Sequence, residues 1–113
     1  MSYDNNNIFA KIIRGEIPCE KVYEDEHVLA FNDITPKAPV HILVLPKKPY
    51  VDMDDFSKNA SAEEISALFK TFGDIAREKG LAEKGYRLVV NCGEDGGQEV
   101  PHLHLHLLGG KKL

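Results

Sequence analysis

Near the C-terminus, histidines alternate with leucines in His102-Leu103-His104-Leu105-His106, followed by Leu107-Leu108-Gly109-Gly110. Side chains along a strand point to opposite faces with a period of two, so an extended segment sets three imidazoles on one face and buries Leu103, Leu105 and Leu107 on the other. Three of the five histidines in the chain fall within these five residues. A single histidine in a half-buried strand is usually a satisfied structural residue. Three in register are not explained by packing, because every buried ring nitrogen needs a partner.

Two chemistries fit imidazoles at this spacing. Histidine is a common zinc ligand, and strand positions i and i+2 lie ~7 Å apart, close enough to converge on one ion. The outer pair, His102 and His106, lie ~13 Å apart along a regular strand, too far for ~2.1 Å bonds to one metal. A third ligand then has to come from elsewhere, such as His41, and one triad member stays idle. Nucleophilic attack at phosphorus uses all three. A neutral imidazole can form a covalent phosphorus–nitrogen intermediate, and its neighbours can donate to the phosphate oxygens where charge develops. The middle histidine, His104, is then the natural nucleophile. Gly96-Gly97-Gln98 lies just upstream and offers backbone N–H groups and a side-chain amide as oxygen donors.

These side chains need a scaffold, and the chain reads as one domain over residues 1–113 with a short polar N-terminal arm, 1–6. Ile8 to Arg14 reads as a short helix ended by Gly15. Val22-Tyr23 and His27 to Asn32 read as strands around the turn Glu24-Asp25-Glu26. Asp33 to Pro39 is a loop, because two prolines interrupt any ladder. Val40 to Leu45 is β-branched and apolar, a strand closed by Pro46. Ser61, with Glu64 completing a capping box, opens one long helix whose buried face carries Ile65, Leu68, Phe69, Phe72, Ile75 and Ala76. Asp52-Met53-Asp54-Asp55 before it reads as a solvated loop. Tyr86 to Asn91 and His102 to Leu108 complete five strands, with a mobile glycine-rich loop, Gly93 to Gly97, between them. The pattern is an α+β domain: an antiparallel sheet with its helices on one face.

The 113 residues carry a formal charge of −4, with 42% hydrophobic and 28% charged residues. No basic footprint for nucleic acid or a membrane surface exists, so any phosphate must be held by local groups. That favours a small nucleotide over a polymer. No apolar run approaches the ~20 residues of a membrane span. Cys19 and Cys92 form no CxxC motif and read as free thiols of a cytoplasmic protein.

The string Gly96-Gly97-Gln98-Glu99-Val100-Pro101-His102-Leu103-His104-Leu105-His106-Leu107-Leu108-Gly109-Gly110 resembles the signature of the histidine triad (HIT) superfamily. The segments Ile8–Pro18, Phe31–Lys47 and Gly85–Asn91 resemble, in order, those of its Hint branch, the purine nucleoside phosphoramidases, bacterial type. The resemblance implies a homodimer that cleaves the P–N bond of purine nucleoside 5′-phosphoramidates of AMP or GMP type. It implies His104 as nucleophile on the α-phosphorus, His102 and His106 on the phosphate, and His41 as an orienting or proton-relaying partner. It further assigns Asn91 and Gln98 to phosphate-side oxygens and Asp33 to the ribose hydroxyls. Phe9, Ile12, Ile17, Phe31, Asn32 and Ile34 would form the purine cleft. Plainer roles compete: core packing for the apolar positions, an Asx turn for Asp33, a strand-end hydrogen bond for Asn91.

The departures from the pattern bear on zinc and on the leaving group. Some relatives carry a structural zinc on a Cys-x-x-Cys pair; here those positions are Asn7-Ile8-Phe9-Ala10, so neither a metal nor any other cofactor is expected. Glu99 stands where many relatives have serine, although glutamate is familiar in bacterial-type members. Pointing inward, it would favour a cationic leaving group; pointing outward, it would be a solvated surface residue. Hydrolysis of dinucleoside polyphosphates and nucleotidyl transfer use the same intermediate and stay open as alternatives. So does a nucleotide-binding or scaffold protein with vestigial catalysis.

Overall fold

The computed structural model describes residues 2–113; Met1, at the start of the expected polar arm, lies outside the described residues. Five strands form one antiparallel sheet: β1 (Lys21–Glu24), β2 (Val28–Asn32), β3 (Val40–Pro46), β4 (Arg87–Val90) and β5 (Leu105–Gly109). Their spatial order is β1-β2-β3-β5-β4, so the histidine strand lies between β3 and β4. This is the α+β architecture expected from the strand and helix pattern.

Period two sorts the sheet into two faces. Val28, Ala30, Ile42, Val44, Leu105 and Leu107 point one way and pack with Leu68, Phe72, Ile75 and Ala76 of α3 (Ala62–Glu78). Leu29, Phe31, Leu43 and Leu45 point the other way and pack with Phe9 and Ile12 of α1 (Ile8–Ile13). The helices therefore cover both faces, not one as expected. The alternation within β2 and β3 is apolar on both sides, and such strands must be covered twice.

The capping box of α3 forms as read: Ser61 Oγ accepts from the Glu64 N–H at 3.1 Å, and Glu64 Oε1 accepts from the Ser61 N–H at 3.0 Å. Phe69, assigned to its buried face, is instead 48% exposed and lies at the rim. A third helix, α2 (Met53–Asn59), replaces the expected acidic loop. Asp52 caps it by accepting from the Asp55 N–H at 2.8 Å, and Phe56 anchors it in the core. The acidic residues sit at the positive end of the helix dipole, where negative charge is favoured.

The histidine segment is only partly strand. Residues 102–104 precede β5, and the Leu103 N–H donates to the Tyr50 carbonyl at 2.8 Å instead of joining the ladder. Leu103, Leu105 and Leu107 are nevertheless all buried. No helix among the described residues is long and apolar enough to cross a membrane.

Candidate active site

On the α1 face, a cavity of about 610 Å³ opens between the sheet, α1 and the loops before β3 and β5. That volume falls in the range of small-molecule sites. Register explains its floor. Leu43 lies opposite His106 and His41 opposite Leu108 on β3 and β5, and Val89 of β4 lies opposite His106. Directly opposed residues share a face. All five line the cavity.

The three triad histidines have three different situations. His102 is fully buried and does not line the cavity. Its Nε2–H donates to the Pro46 carbonyl at 2.8 Å, and its Nδ1 is bonded to the Tyr3 hydroxyl. The ring therefore does not face the cavity, where the resemblance had implied a contact with phosphate. Its backbone carbonyl instead accepts from Nδ1–H of His104 at 2.7 Å. A carbonyl can only accept, so this bond fixes the His104 tautomer and makes Nε2 the lone-pair nitrogen. The His104 ring lines the cavity and is braced by Phe9, edge-on at a centroid distance of 4.7 Å.

A second chain of bonds sets His106. The Lys37 backbone N–H donates to His41 Nδ1 at 3.1 Å. His41 must then carry its proton on Nε2, which lies 2.9 Å from His106 Nδ1. His106 accepts there and holds its own proton on Nε2, on the ring that lines the cavity. Of its imidazoles, the site thus presents one lone pair, on His104, and one donor, on His106.

Burial keeps these rings neutral. It pushes His102 down to about 4, and the carbonyl bond to Pro46 only partly opposes it. His106 is also pushed down to about 4, by burial first and then by the neighbouring His104, His41 and Lys37 charges. His104 is lowered by burial, against the His102 carbonyl and the carboxylates of Asp33 and Glu99. His41 is lowered for the same reason, so its 3.4 Å approach to Asp33 Oδ2 is a dipolar contact, not an ion pair.

Asp33, His41 and His106 offer ligand atoms within 4.8 Å of one another, the one such metal-like cluster among the described residues. The tautomer chain does not suit a cation. The Lys37 N–H occupies the His41 lone pair, and the nitrogen facing His106 carries a hydrogen. Binding there would break the bond to Lys37.

Asp33 does two things at once: Oδ1 accepts from the Thr35 N–H at 2.8 Å, an Asx turn, while Oδ2 faces His41. Asn91 lines the cavity, with Nδ2 donating to the Gly96 carbonyl at 2.9 Å. Gln98 does not line it. Its Nε2 donates to the carbonyls of Val51 (2.7 Å) and Val100 (2.9 Å), and its Oε1 accepts from the Gly93 N–H, so no amide donor remains for a phosphate. The glycine loop, expected to be mobile, is cross-linked by these bonds. Gly96 has no room for a Cβ, which would lie 2.3 Å from the Cys92 carbonyl oxygen, and Gly97 has φ 78°. Glu99 is exposed yet lines the cavity, joining the two orientations considered for it.

Of the expected purine residues, only Phe9 lines the cavity. Ile12 and Phe31 are buried in the α1 cluster and Ile17 packs against it, the core role that competed with the cleft. Asn32 donates to Glu20 Oε1 at 3.2 Å, and Ile34 is 95% exposed, too bare to shield a base within this chain. Lys37 escaped the sequence reading. It is the one cation lining the cavity among the described residues, and its contribution to His41 is a backbone N–H, which residue type does not announce.

Comparison with known proteins agrees with this geometry. Residues 14–113 match the model of the HIT domain. A HIT-like protein of Azospirillum brasilense is 62% identical over 112 residues, covering 99% of this chain and 92% of its own. The purine nucleoside phosphoramidase of Escherichia coli (strain K12) is 46% identical over 106 residues, covering 94% of this chain and 88% of that protein. The crystal structure of a HIT family hydrolase from Legionella pneumophila Philadelphia 1 superposes with a TM-score of 0.89 at 46% identity, covering 95% of each chain. With His104 and His106 lining one cavity and nearly its whole length matched by such relatives, the chain belongs to the HIT family.

Proposed function

We propose that this protein hydrolyses the P–N bond of purine nucleoside 5′-phosphoramidates through a covalent nucleotidyl-histidine. The observation that carries the reading is the 2.7 Å bond from His104 Nδ1–H to the His102 carbonyl, which leaves Nε2 as a lone pair on a ring lining the cavity. Attack by Nε2 on the α-phosphorus forms a P–N bond to His104 while the bond to the amine breaks. The amine leaves with the proton its nitrogen already carries in the N-protonated substrate, while His106 Nε2–H donates a hydrogen bond to the phosphate oxygens as charge develops there. The positive charge arising on His104 is stabilised by the His102 carbonyl at Nδ1. Water then attacks phosphorus, keeping one proton as the new phosphate hydroxyl and passing the other to the released amine, and His104 leaves with its electron pair. His41 and Asp33 hold His106 in the tautomer that both steps need.

The likeness to the Escherichia coli phosphoramidase supports this choice of substrate. Glu99, whose charge reaches His104, favours an amine leaving group that carries a further positive charge. The working unit in this proposal is a homodimer in the cytoplasm. β4 is an edge strand with Leu88 and Val90 at 40% and 38% exposure, an unprotected apolar edge that a second copy could cover. The free thiols Cys19 and Cys92 suit a reducing compartment.

Turnover of adenosine 5′-phosphoramidate by the wild type and by His104→Ala tests the function. Loss of turnover with AMP binding retained is expected, and equal rates in both proteins would sink the mechanism.

A further inference from the structure

We propose that Tyr3, in the N-terminal arm, is a positioning residue of the triad: its hydroxyl holds the buried His102 ring, and through residue 102 it aims His104. The proposal rests on the reading of His104 as the nucleophile. It starts from an accounting of one buried imidazole. His102 is 0% exposed, so water cannot serve its nitrogens. The Pro46 carbonyl takes the Nε2–H, which leaves Nδ1 as an acceptor that needs a donor. The Tyr3 hydroxyl supplies it, with the phenol edge-on to the imidazole at a centroid distance of 5.5 Å and an interplanar angle of 72°.

The arm is built to deliver that hydroxyl. Asp4 turns the chain by accepting from the Asn6 N–H at Oδ1 (2.9 Å) and from Asn7 Nδ2 at its carbonyl (2.8 Å). Buried Asn7 then caps α1, accepting from the Ala10 N–H at 2.8 Å. Arg14 reaches back to the Asn5 carbonyl at 2.9 Å. One short segment thereby contacts two triad members, Tyr3 on His102 and Phe9 on His104. His102 transmits the constraint because both of its ring nitrogens are tied while its carbonyl carries the His104 Nδ1–H. Without the hydroxyl, Nδ1 is a buried acceptor with no donor, and the Pro46 bond alone, which keeps the tautomer, no longer fixes the tilt of the ring.

The test compares Tyr3→Phe, which keeps the ring and removes the hydroxyl, with Tyr3→Ala, which removes both. Nitrogen-15 NMR of the imidazoles in the free protein reads the hydrogen bonds without any turnover. Steady-state kinetics with adenosine 5′-phosphoramidate reads the consequence. In Tyr3→Phe the His102 Nδ1 resonance is expected to move downfield, the His104 Nδ1–H to exchange faster with solvent, and kcat to fall about tenfold with KM unchanged. Thermal melting of Tyr3→Phe confirms that the fold persists. Wild-type resonances and kcat in Tyr3→Phe, with defects only in Tyr3→Ala, would reduce Tyr3 to packing and overturn the proposal. So would a shifted His102 resonance with an unchanged His104 signal. Should the wild type fail to turn over the phosphoramidate, the proposed function falls while the NMR arm still decides the Tyr3–His102–His104 linkage.

Discussion

Two buried polar networks lie on opposite faces of the same sheet, and they end differently. At the start of α3, the buried Glu64 carboxylate accepts from the Ser61 N–H at 3.0 Å and from the Tyr50 hydroxyl at 2.9 Å, and the Ser61 hydroxyl closes the ring of bonds. Every group there is spent inside the protein. On the other face, the bonds from Tyr3 through His102 to His104, and from Lys37 through His41 to His106, each end on a ring that lines the cavity. A closed polar network rigidifies the fold, whereas an open one leaves a reactive atom with its tautomer already set. Hydrogen-bonded, buried residues are common to both, so burial alone does not mark the active site. The unspent nitrogen does.

The sharpest way to break the comparison is to delete the open end. His104→Ala is expected to lower turnover of adenosine 5′-phosphoramidate by at least about a thousandfold, since no other imidazole lone pair faces the cavity. Circular dichroism melting should stay near wild type.

Acid separates the networks next. His102 has its folded-state pKa depressed from 6.5 to about 4, so the unfolded chain binds more protons between those values. Its contribution to stability is complete above pH 6.5 and is lost as pH falls toward 4, by about 3 kcal/mol at most. Glu64 behaves later. Burial opposes its charge, but the bonds from Ser61 and Tyr50 outweigh burial and hold its carboxyl below the ordinary 4.5. Its contribution is lost only as pH falls below 4.5. Denaturant titrations from pH 8 to pH 3 should show the histidine loss first, and His102→Asn should remove its share of that first part while the share of His106 remains.

His41→Ala opens the donor side of the active network without touching the nucleophile. His106 Nδ1 loses its donor, its proton no longer stays on Nε2, and kcat should fall about a hundredfold. An unchanged kcat would show that His106 does not depend on His41. The smallest effect comes from the closed network: Glu64→Ala should cost about 1–3 kcal/mol of stability with kcat unchanged, read by denaturant midpoint and by turnover at saturating substrate.

The histidine spacing and its alternating leucines made the site and β5 legible, the β-branched apolar run made β3 legible, and the Ser61–Glu64 pair made the α3 cap legible. The split within the triad was not. Whether residues 102–104 join the ladder depends on the Tyr50 carbonyl, some fifty residues away, which takes the Leu103 N–H. α2 hid because its charges read as solvation, while it reaches the core through buried Phe56 and half-buried Met53. Gln98 and Lys37 show a different limit. An amide reads as a phosphate donor until the carbonyls of Val51 and Val100 are seen to use it, and Lys37 orders His41 through a backbone group that any residue but proline supplies. Tyr3 sits in a polar arm with no periodicity, so nothing local links it to His102, 99 positions along the chain.

The central claim is that turnover passes through a nucleotide bonded to His104. Hydrolysis of a purine nucleoside phosphoramidate made chiral at phosphorus with oxygen isotopes tests it most directly, because each displacement inverts the centre. Two displacements, by His104 and then by water, predict net retention in the product. Net inversion would mean that water attacks phosphorus directly, and would contradict the account.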